Sequence, residues 1–176
     1  LFYDMDFDKA RAASDALAAR HPNHPAGVFY RSVSSYQRWT AEGMRSTGTF
    51  RAFELDSESA EKSAKALMET NPSEAHYYLG ATLGFRARAN MAQKKFFRAL
   101  PDGSAAIKHL KKALALDPML SDARLGMGMY HYFAARMPAG AKPLAYLLVG
   151  EGADRKLGLK ELWSVAEREL REAMDE

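Results

Sequence analysis

Aromatic and histidine side chains gather in one short stretch, where they are the most conspicuous candidates for chemistry. Residues 130–133 read Tyr-His-Tyr-Phe, and consecutive helical residues point around the whole helix circumference. Core aromatics with a hydrogen-bonded histidine are the simpler interpretation. Aromatic side chains with a polar tip are also common interface anchors. Our candidates for a partner-binding surface are Tyr77, Tyr78, Met127, Tyr130, His131 and Arg86.

Patterns typical of catalysis or metal binding are missing from the sequence. The motifs Gly-x-Ser-x-Gly, His-Glu-x2-His and Gly-x-Gly-x2-Gly do not occur, and cysteine is absent, which excludes thiolate chemistry and disulfides. His21 and His24 straddle a proline and have no further ligand at metal-site spacing. We therefore predict no catalytic residues, no metal and no cofactor, and expect a protein that is not an enzyme.

Two glycine pairs resemble phosphate loops only superficially. Gly80 and Gly84, like Gly126 and Gly128, lie in apolar helical stretches without the Lys-Ser/Thr of a P-loop. Glycine inside such a stretch favours close contact between helices. We predict that role for these residues.

A basic stretch with interleaved aromatics runs from residue 86 to residue 98. It is compatible with an acidic partner or nucleic acid. Phe96 and Phe97, however, fit the spacing of core residues, and basic faces exposed to solvent are ordinary. His109, among Lys108, Lys111 and Lys112, is predicted to lie on an exposed helix face.

The overall composition describes a folded chain of ordinary charge. Its 176 residues are 47% hydrophobic and 27% charged, with a formal net charge of +3, which is enough for a core and does not demand an acidic partner. No apolar run approaches the length of a membrane span. We expect a soluble chain, either cytoplasmic or exported to the cell envelope after removal of a signal.

Helical spacing of apolar residues dominates the sequence, which predicts an all-α fold. The first helix is predicted over about 6–20, and the second carries the stripe Phe29, Val33, Tyr36 and Trp39. A third begins near residue 50, with Asp56 as an alternative cap. Later helices are predicted from Pro72 to about residue 99, over 104–116, from Pro118 through residue 133, and over 154–173.

The remaining long connection, residues 136–153, is rich in Gly and Pro. Its apolar patch Leu144 to Val149 is predicted to fold back as a short turn of helix. An alternative function is that of a helical pocket protein or enzyme, which would bind a small ligand between this connection and residues 130–133.

Proline and Leu-Gly recur together at an interval of 46 residues, which indicates stacked helical hairpins. Asn71-Pro72 precedes Leu79-Gly80, and Asp117-Pro118 precedes Leu125-Gly126. The units are predicted at about 1–42, 50–99, 103–135 and 154–176, within one domain spanning residues 1–176.

These motifs resemble the junction between tetratricopeptide (TPR) repeats. Ala106-x3-Leu110-x2-Ala113-Leu114-x3-Pro118 is similar to the second helix of one repeat running into the next, and Ala60-x3-Ala64-x2-Leu67-x4-Pro72 repeats the pattern. The interval exceeds the roughly 34 residues of a standard TPR. The chain thus resembles a divergent bacterial TPR-like group with long hairpins.

The resemblance implies a right-handed α-solenoid that binds a protein or peptide in a concave groove lined by helices beginning near Pro25, Pro72 and Pro118. TPR modules that grip a C-terminal carboxylate use Lys and Asn at positions where this chain has Tyr77, Tyr78 and Ala123, so we do not expect that clamp. Self-association is a variant, because an array cut at both ends leaves apolar faces uncapped. A basic adaptor for an acidic partner or nucleic acid is a second alternative.

Overall fold

Seven α-helices, each packed against the next as sequential antiparallel neighbours, make up the described part of the chain. The computed structural model describes residues 6–135 and 154–175. The prediction of an all-α fold is confirmed. The helices are α1 (Phe7–Arg20), α2 (Ala26–Ala41), α3 (Thr47–Ala66), α4 (Pro72–Ala92), α5 (Phe96–Leu116), α6 (Ser121–Ala134) and α7 (Arg155–Asp175), with a 3-10 turn at Leu67–Glu69.

Short polar side chains begin several of these helices. Asp6, Ser46 and Asn71 each accept a hydrogen bond from the backbone N–H three residues on, at 3.1, 3.2 and 3.4 Å, which satisfies a donor that the helix leaves unpaired. Pro72 occupies the first turn of α4, where no N–H is needed. The predicted start of α4 is therefore confirmed.

The second Pro motif folds differently from the first. Asp117 accepts from the N–H of Met119 at 2.9 Å, only two residues on, which forms an Asx turn rather than a helix cap. Pro118 consequently lies in that turn, and α6 begins at Ser121. The prediction that Pro118 opens the helix was wrong by three residues.

The boundary between α4 and α5 also differs from the prediction. Lys94 has a left-handed φ of 60°, and the N–H of Lys95 donates to the carbonyl of Asn90 at 2.8 Å, which is a Schellman closure of α4. Glycine usually occupies the left-handed position, as Gly43 does after α2, so a lysine there gives no sequence signal. The prediction that this helix reaches residue 99 was wrong.

Helix α5 begins at Phe96 and continues through Pro101, which lies in the predicted break between residues 99 and 104. Proline removes a backbone donor and disfavours the helix interior. Tertiary contacts offset this cost: Asp102 accepts two hydrogen bonds from Arg86 at 2.8 and 2.7 Å. Packing against α4 thus overrides the local preference of the Pro-Asp-Gly sequence.

In α3, the alternative of Asp56 as a helix cap was wrong. The helix begins at Thr47, and Asp56 lies buried in its middle. Its carboxylate accepts from Arg31 at 2.9 Å, from Arg11 at 3.0 Å and from Ser35 at 2.7 Å. These bonds tie α1, α2 and α3 together.

Three apolar clusters form the core. The predicted stripe of α2, residues Phe29, Val33, Tyr36 and Trp39, is buried as expected. It divides between a cluster with Ala60, Ala64, Tyr78 and Leu79 and a second cluster with Phe53 and Ala89. The third cluster joins α5 and α6 through Ile107, Leu110, Ala113, Ala123 and Met127.

The two phenylalanines of the basic stretch are not in the core. Phe96 is 50% exposed and Phe97 is 96% exposed, because α5 starts at these residues instead of following them. His109 is also placed differently from the prediction. It is half-buried, with its Nδ1 2.8 Å from Nδ1 of His76, so it does not lie on an open lysine face.

The connection 136–153, with its apolar patch at 144–149, lies outside the described residues. The division into repeat units stays a prediction. None of the helices in the described ranges combines the length and apolar character that crossing a bilayer requires.

Candidate functional site

Helices α2, α4 and α6 form one layer of the molecule, because α4 contacts both α2 and α6. These are the helices predicted to line a binding surface. Tyr77, near the start of α4, packs against the α2 cluster and also against the cluster of α5 and α6. Its ring therefore bridges the two halves of the layer.

One leucine of α5 sets the spacing between α4 and α6. A Cβ on Gly80 would lie 2.8 Å from Cγ of Leu110, and a Cβ on Gly126 would lie 2.9 Å from Cδ1 of the same leucine. Both glycines of the repeated Leu-Gly motif thus leave room for the same side chain, that of Leu110. This shared contact is a physical reason for the repeat, and the predicted role of Gly80 and Gly126 in helix contact is confirmed.

Asp122 lies in the first turn of α6 and has an unusual environment. Its side chain is exposed, yet desolvation by the surrounding protein raises the pKa of its carboxyl above the usual range. Neighbouring protein atoms therefore screen the carboxyl group partly from solvent. Within the described part of the chain no cation pairs with it.

The charge of Asp122 affects the pKa values of two tyrosines. Burial raises the pKa of the Tyr30 hydroxyl, and the charge of Asp122 raises it further. Burial likewise raises the pKa of Tyr77 far above the usual range, with Asp122 and Tyr30 as the next contributions. The three groups therefore lie within electrostatic reach of one another. We call Tyr30, Tyr77 and Asp122 the Asp122 recess.

The Asp122 recess has the chemistry of a cation site. A carboxylate without a charged partner attracts an ammonium or guanidinium group, and charge-assisted hydrogen bonds are the stronger ones. Tyrosine rings add the attraction of their negative faces for a cation. Because Tyr30 comes from α2, Tyr77 from α4 and Asp122 from α6, a bound segment would cross all three helices.

The structure separates the six predicted site residues. Tyr77 lies in the Asp122 recess, and Tyr130 is half-buried against the cluster of α5 and α6. Tyr78 and Met127 are buried, with Tyr78 in edge contact with Phe29 at 5.4 Å between ring centroids. Both side chains therefore belong to the core of the protein.

His131 is a core residue. It is only 3% exposed, and its Nδ1 lies 2.7 Å from the carboxylate of Glu161 in α7. This is the simpler of the two interpretations of the aromatic stretch. The side chain of Phe133 lies outside the described residues.

Arg86 forms ion pairs with two acidic side chains. Besides its two bonds to Asp102, its guanidinium donates to Glu61 at 2.7 Å. Hydrogen bonding to Asp102, against some desolvation, raises the pKa of Arg86 above the usual range. This network joins α3, α4 and α5.

Sequence reasoning missed Tyr30, Asp122 and the pair His76–His109. Tyr30 follows a core phenylalanine, and Asp122 lies in a first helical turn, where acidic residues are common. Neither residue therefore stands out in the sequence as part of a site. The Nε2 atom of His24 lies 2.8 Å from the carboxylate of Glu74, a contact that the sequence did not indicate. Among residues 6–135 and 154–175, no three His, Asp or Glu side chains gather as metal ligands.

Comparisons with protein-family models, with curated proteins and with solved structures find no match to this chain. What the structure establishes for residues 6–135 and 154–175 is an all-helical arrangement of seven helices packed as sequential hairpins. The Asp122 recess has to be interpreted from its own chemistry.

Proposed function

We propose that the protein is a non-catalytic scaffold that binds a protein or peptide segment along the face of α2, α4 and α6. The observation that carries the proposal is the unpaired, desolvated carboxylate of Asp122 beside two tyrosines from other helices. A cationic group placed against this carboxylate would form a charge-assisted hydrogen bond, which is stronger than a neutral one.

The proposed arrangement is a TPR-like right-handed solenoid whose inner layer is α2, α4 and α6. The contacts of α4 with both α2 and α6 support this arrangement. A segment lying across the layer buries apolar groups against the tyrosine rings. Its lysine or arginine reaches Asp122, and the neighbouring charges orient it.

The test is a selection from a random peptide library displayed on phage, with the whole chain immobilised. We expect the enriched peptides to share a lysine or arginine. They should bind Asp122→Asn about tenfold more weakly, because a charge-assisted bond is worth roughly 1.5–3 kcal/mol.

A matched control is Asp154→Asn, which removes the same charge at the start of α7. Asp154 accepts from the N–H of Lys156 at 2.8 Å, and asparagine caps a helix about as well as aspartate. This variant should bind the peptides like wild type. Enriched peptides without a cation, or equal binding by Asp122→Asn, would contradict the proposal.

A further inference from the structure

The turn between α4 and α5 carries an apolar pair in an unusual position. The chain reverses within residues 93–95, and Phe96 and Phe97 then form the first turn of α5. Phe97 is 96% exposed and Phe96 is 50% exposed. Phenylalanine is among the residue types most often buried, so two exposed rings side by side mark an interaction surface.

Three cations are sequence neighbours of the two phenylalanines. Lys94, Lys95 and Arg98 are all exposed, and the ammonium of Lys95 lies 5.0 Å from the centre of the Phe50 ring. Within the described part of the chain none of the three forms an ion pair with a carboxylate. By contrast, Arg31 and Arg86 each bind two acidic groups.

Phe97 and Arg98 also border an open cavity of about 370 Å³. Glu54 and Glu58 line this cavity too, and Glu54 lies 3.6 Å from Arg51. Among the described residues of this region, the cations without an ion pair lie at the tip of the hairpin, residues 94–98, next to the acidic lining of the cavity. The start of α5 adds its own positive dipole end.

We propose that this hairpin tip, residues 94–98, docks onto an anionic lipid surface. The two rings enter the interfacial region, where aromatic side chains are favoured, while Lys94, Lys95 and Arg98 contact the negative headgroups. A lipid surface fits both features together, since it offers apolar depth beneath a negative layer. The inference is independent of the Asp122 recess, which uses α2, α4 and α6.

The experiment is co-sedimentation of the whole chain with vesicles of phosphatidylcholine alone and of an equal mixture of phosphatidylcholine and phosphatidylglycerol. Wild type should sediment with the anionic vesicles and stay in solution with the neutral ones. Because the burial of a phenylalanine ring in the interface is favourable, Phe96→Ser/Phe97→Ser should weaken partitioning about tenfold or more. Lys94→Glu/Lys95→Glu should weaken it as well.

Matched controls come from the rest of α5 and from the turn that follows it. Leu116→Ser/Met119→Ser removes two other exposed apolar side chains, and Lys108→Glu/Lys112→Glu reverses two other exposed lysines. Both controls should sediment like wild type. The helix content and the unfolding midpoint of each variant establish whether it is folded. Because all the substituted residues are exposed, we expect every variant to fold.

Several outcomes would overturn the proposal. These are no sedimentation of wild type with anionic vesicles, or undiminished sedimentation of Phe96→Ser/Phe97→Ser. Binding of a fluorescent single-stranded RNA that needs the tip, without vesicle binding, would assign the tip to nucleic acid. A wild-type dimer in light scattering that becomes monomeric in Phe96→Ser/Phe97→Ser, again without vesicle binding, would assign it to a second copy of the chain.

Discussion

Two aspartates, Asp56 and Asp122, occupy opposite electrostatic situations. Asp56 is buried between α1, α2 and α3 and accepts bonds from two arginines and a serine. Asp122 is accessible on the α2, α4 and α6 face, and desolvation raises its pKa without a cation beside it. One carboxylate is satisfied inside the protein and the other is not.

The contrast separates stability from function. A buried carboxylate with a full set of donors holds helices together, and its removal leaves cations without a partner. A desolvated carboxylate without such donors disfavours the folded state in its ionised form. Perturbed carboxyl groups occur most often at functional sites, which is why we propose that Asp122 binds a ligand.

Replacing Asp56 has the largest expected effect on stability. Asp56→Ala should lower the free energy of unfolding by about 3 kcal/mol, because it leaves Arg11 and Arg31 without their shared partner. Urea denaturation measures this loss. Asp56→Asn, which keeps acceptor capacity and shape, should lose less. An unchanged unfolding free energy in Asp56→Ala would contradict the claim that Asp56 stabilises the packing of α1, α2 and α3.

The next effect concerns the spacing that brings the recess together. Gly80→Ala should destabilise the fold by about 1–3 kcal/mol, since its methyl group would meet Leu110. The matched control is Gly48→Ala at the start of α3, where a Cβ meets nothing within 4 Å. It should gain about 0.5 kcal/mol from helix preference. Equal unfolding midpoints for the two variants would contradict the close α4–α5 packing.

The pair His76–His109 gives a third, smaller case, in which two titratable groups face each other. Burial lowers the pKa of each imidazole, and Lys112 lowers both further. His76 and Lys65 also lower the pKa of His109, whereas Glu61 raises it. A folded-state pKa below the unfolded value means that protonation opposes folding. This contribution to stability is complete above the usual histidine pKa of about 6.5 and is lost as the pH falls below it.

The measurement compares unfolding free energies at about pH 7.5 and about pH 5.5, either side of the usual histidine pKa of about 6.5. Wild type should lose more stability on acidification than His76→Gln/His109→Gln, in which every other titrating group is retained. Parallel losses in the two proteins would show that the pair is fully solvated in both protonation states.

The helices were predictable where local chemistry agreed with packing. Asn71 and Pro72 carry a cap and a first-turn proline, and α4 begins there. The stripe of α2 has helical period and is buried. The end of α4 was not predictable, because Lys94 takes a left-handed conformation that sequence rules reserve for glycine.

The candidate site was predictable only in part. The repeat pattern placed the proposed binding site on α4 and α6, and Tyr77 is one of the residues of the Asp122 recess. His131 and Met127 turned out to be buried, since helical spacing alone does not tell which side of α6 faces α5. Asp122 could not be singled out, because its lack of a partner is a property of three helices brought together and not of its neighbours in sequence.

The most direct test of the central claim is a double-mutant cycle between Asp122 and the cation of a selected lysine peptide. Calorimetry would measure the affinities of wild type and Asp122→Asn for this peptide and for a peptide with norleucine in place of lysine. We predict a coupling free energy of about 1 kcal/mol or more, the range of directly contacting charged groups. A coupling of zero, with both substitutions acting independently, would contradict recognition of a cation by the Asp122 recess.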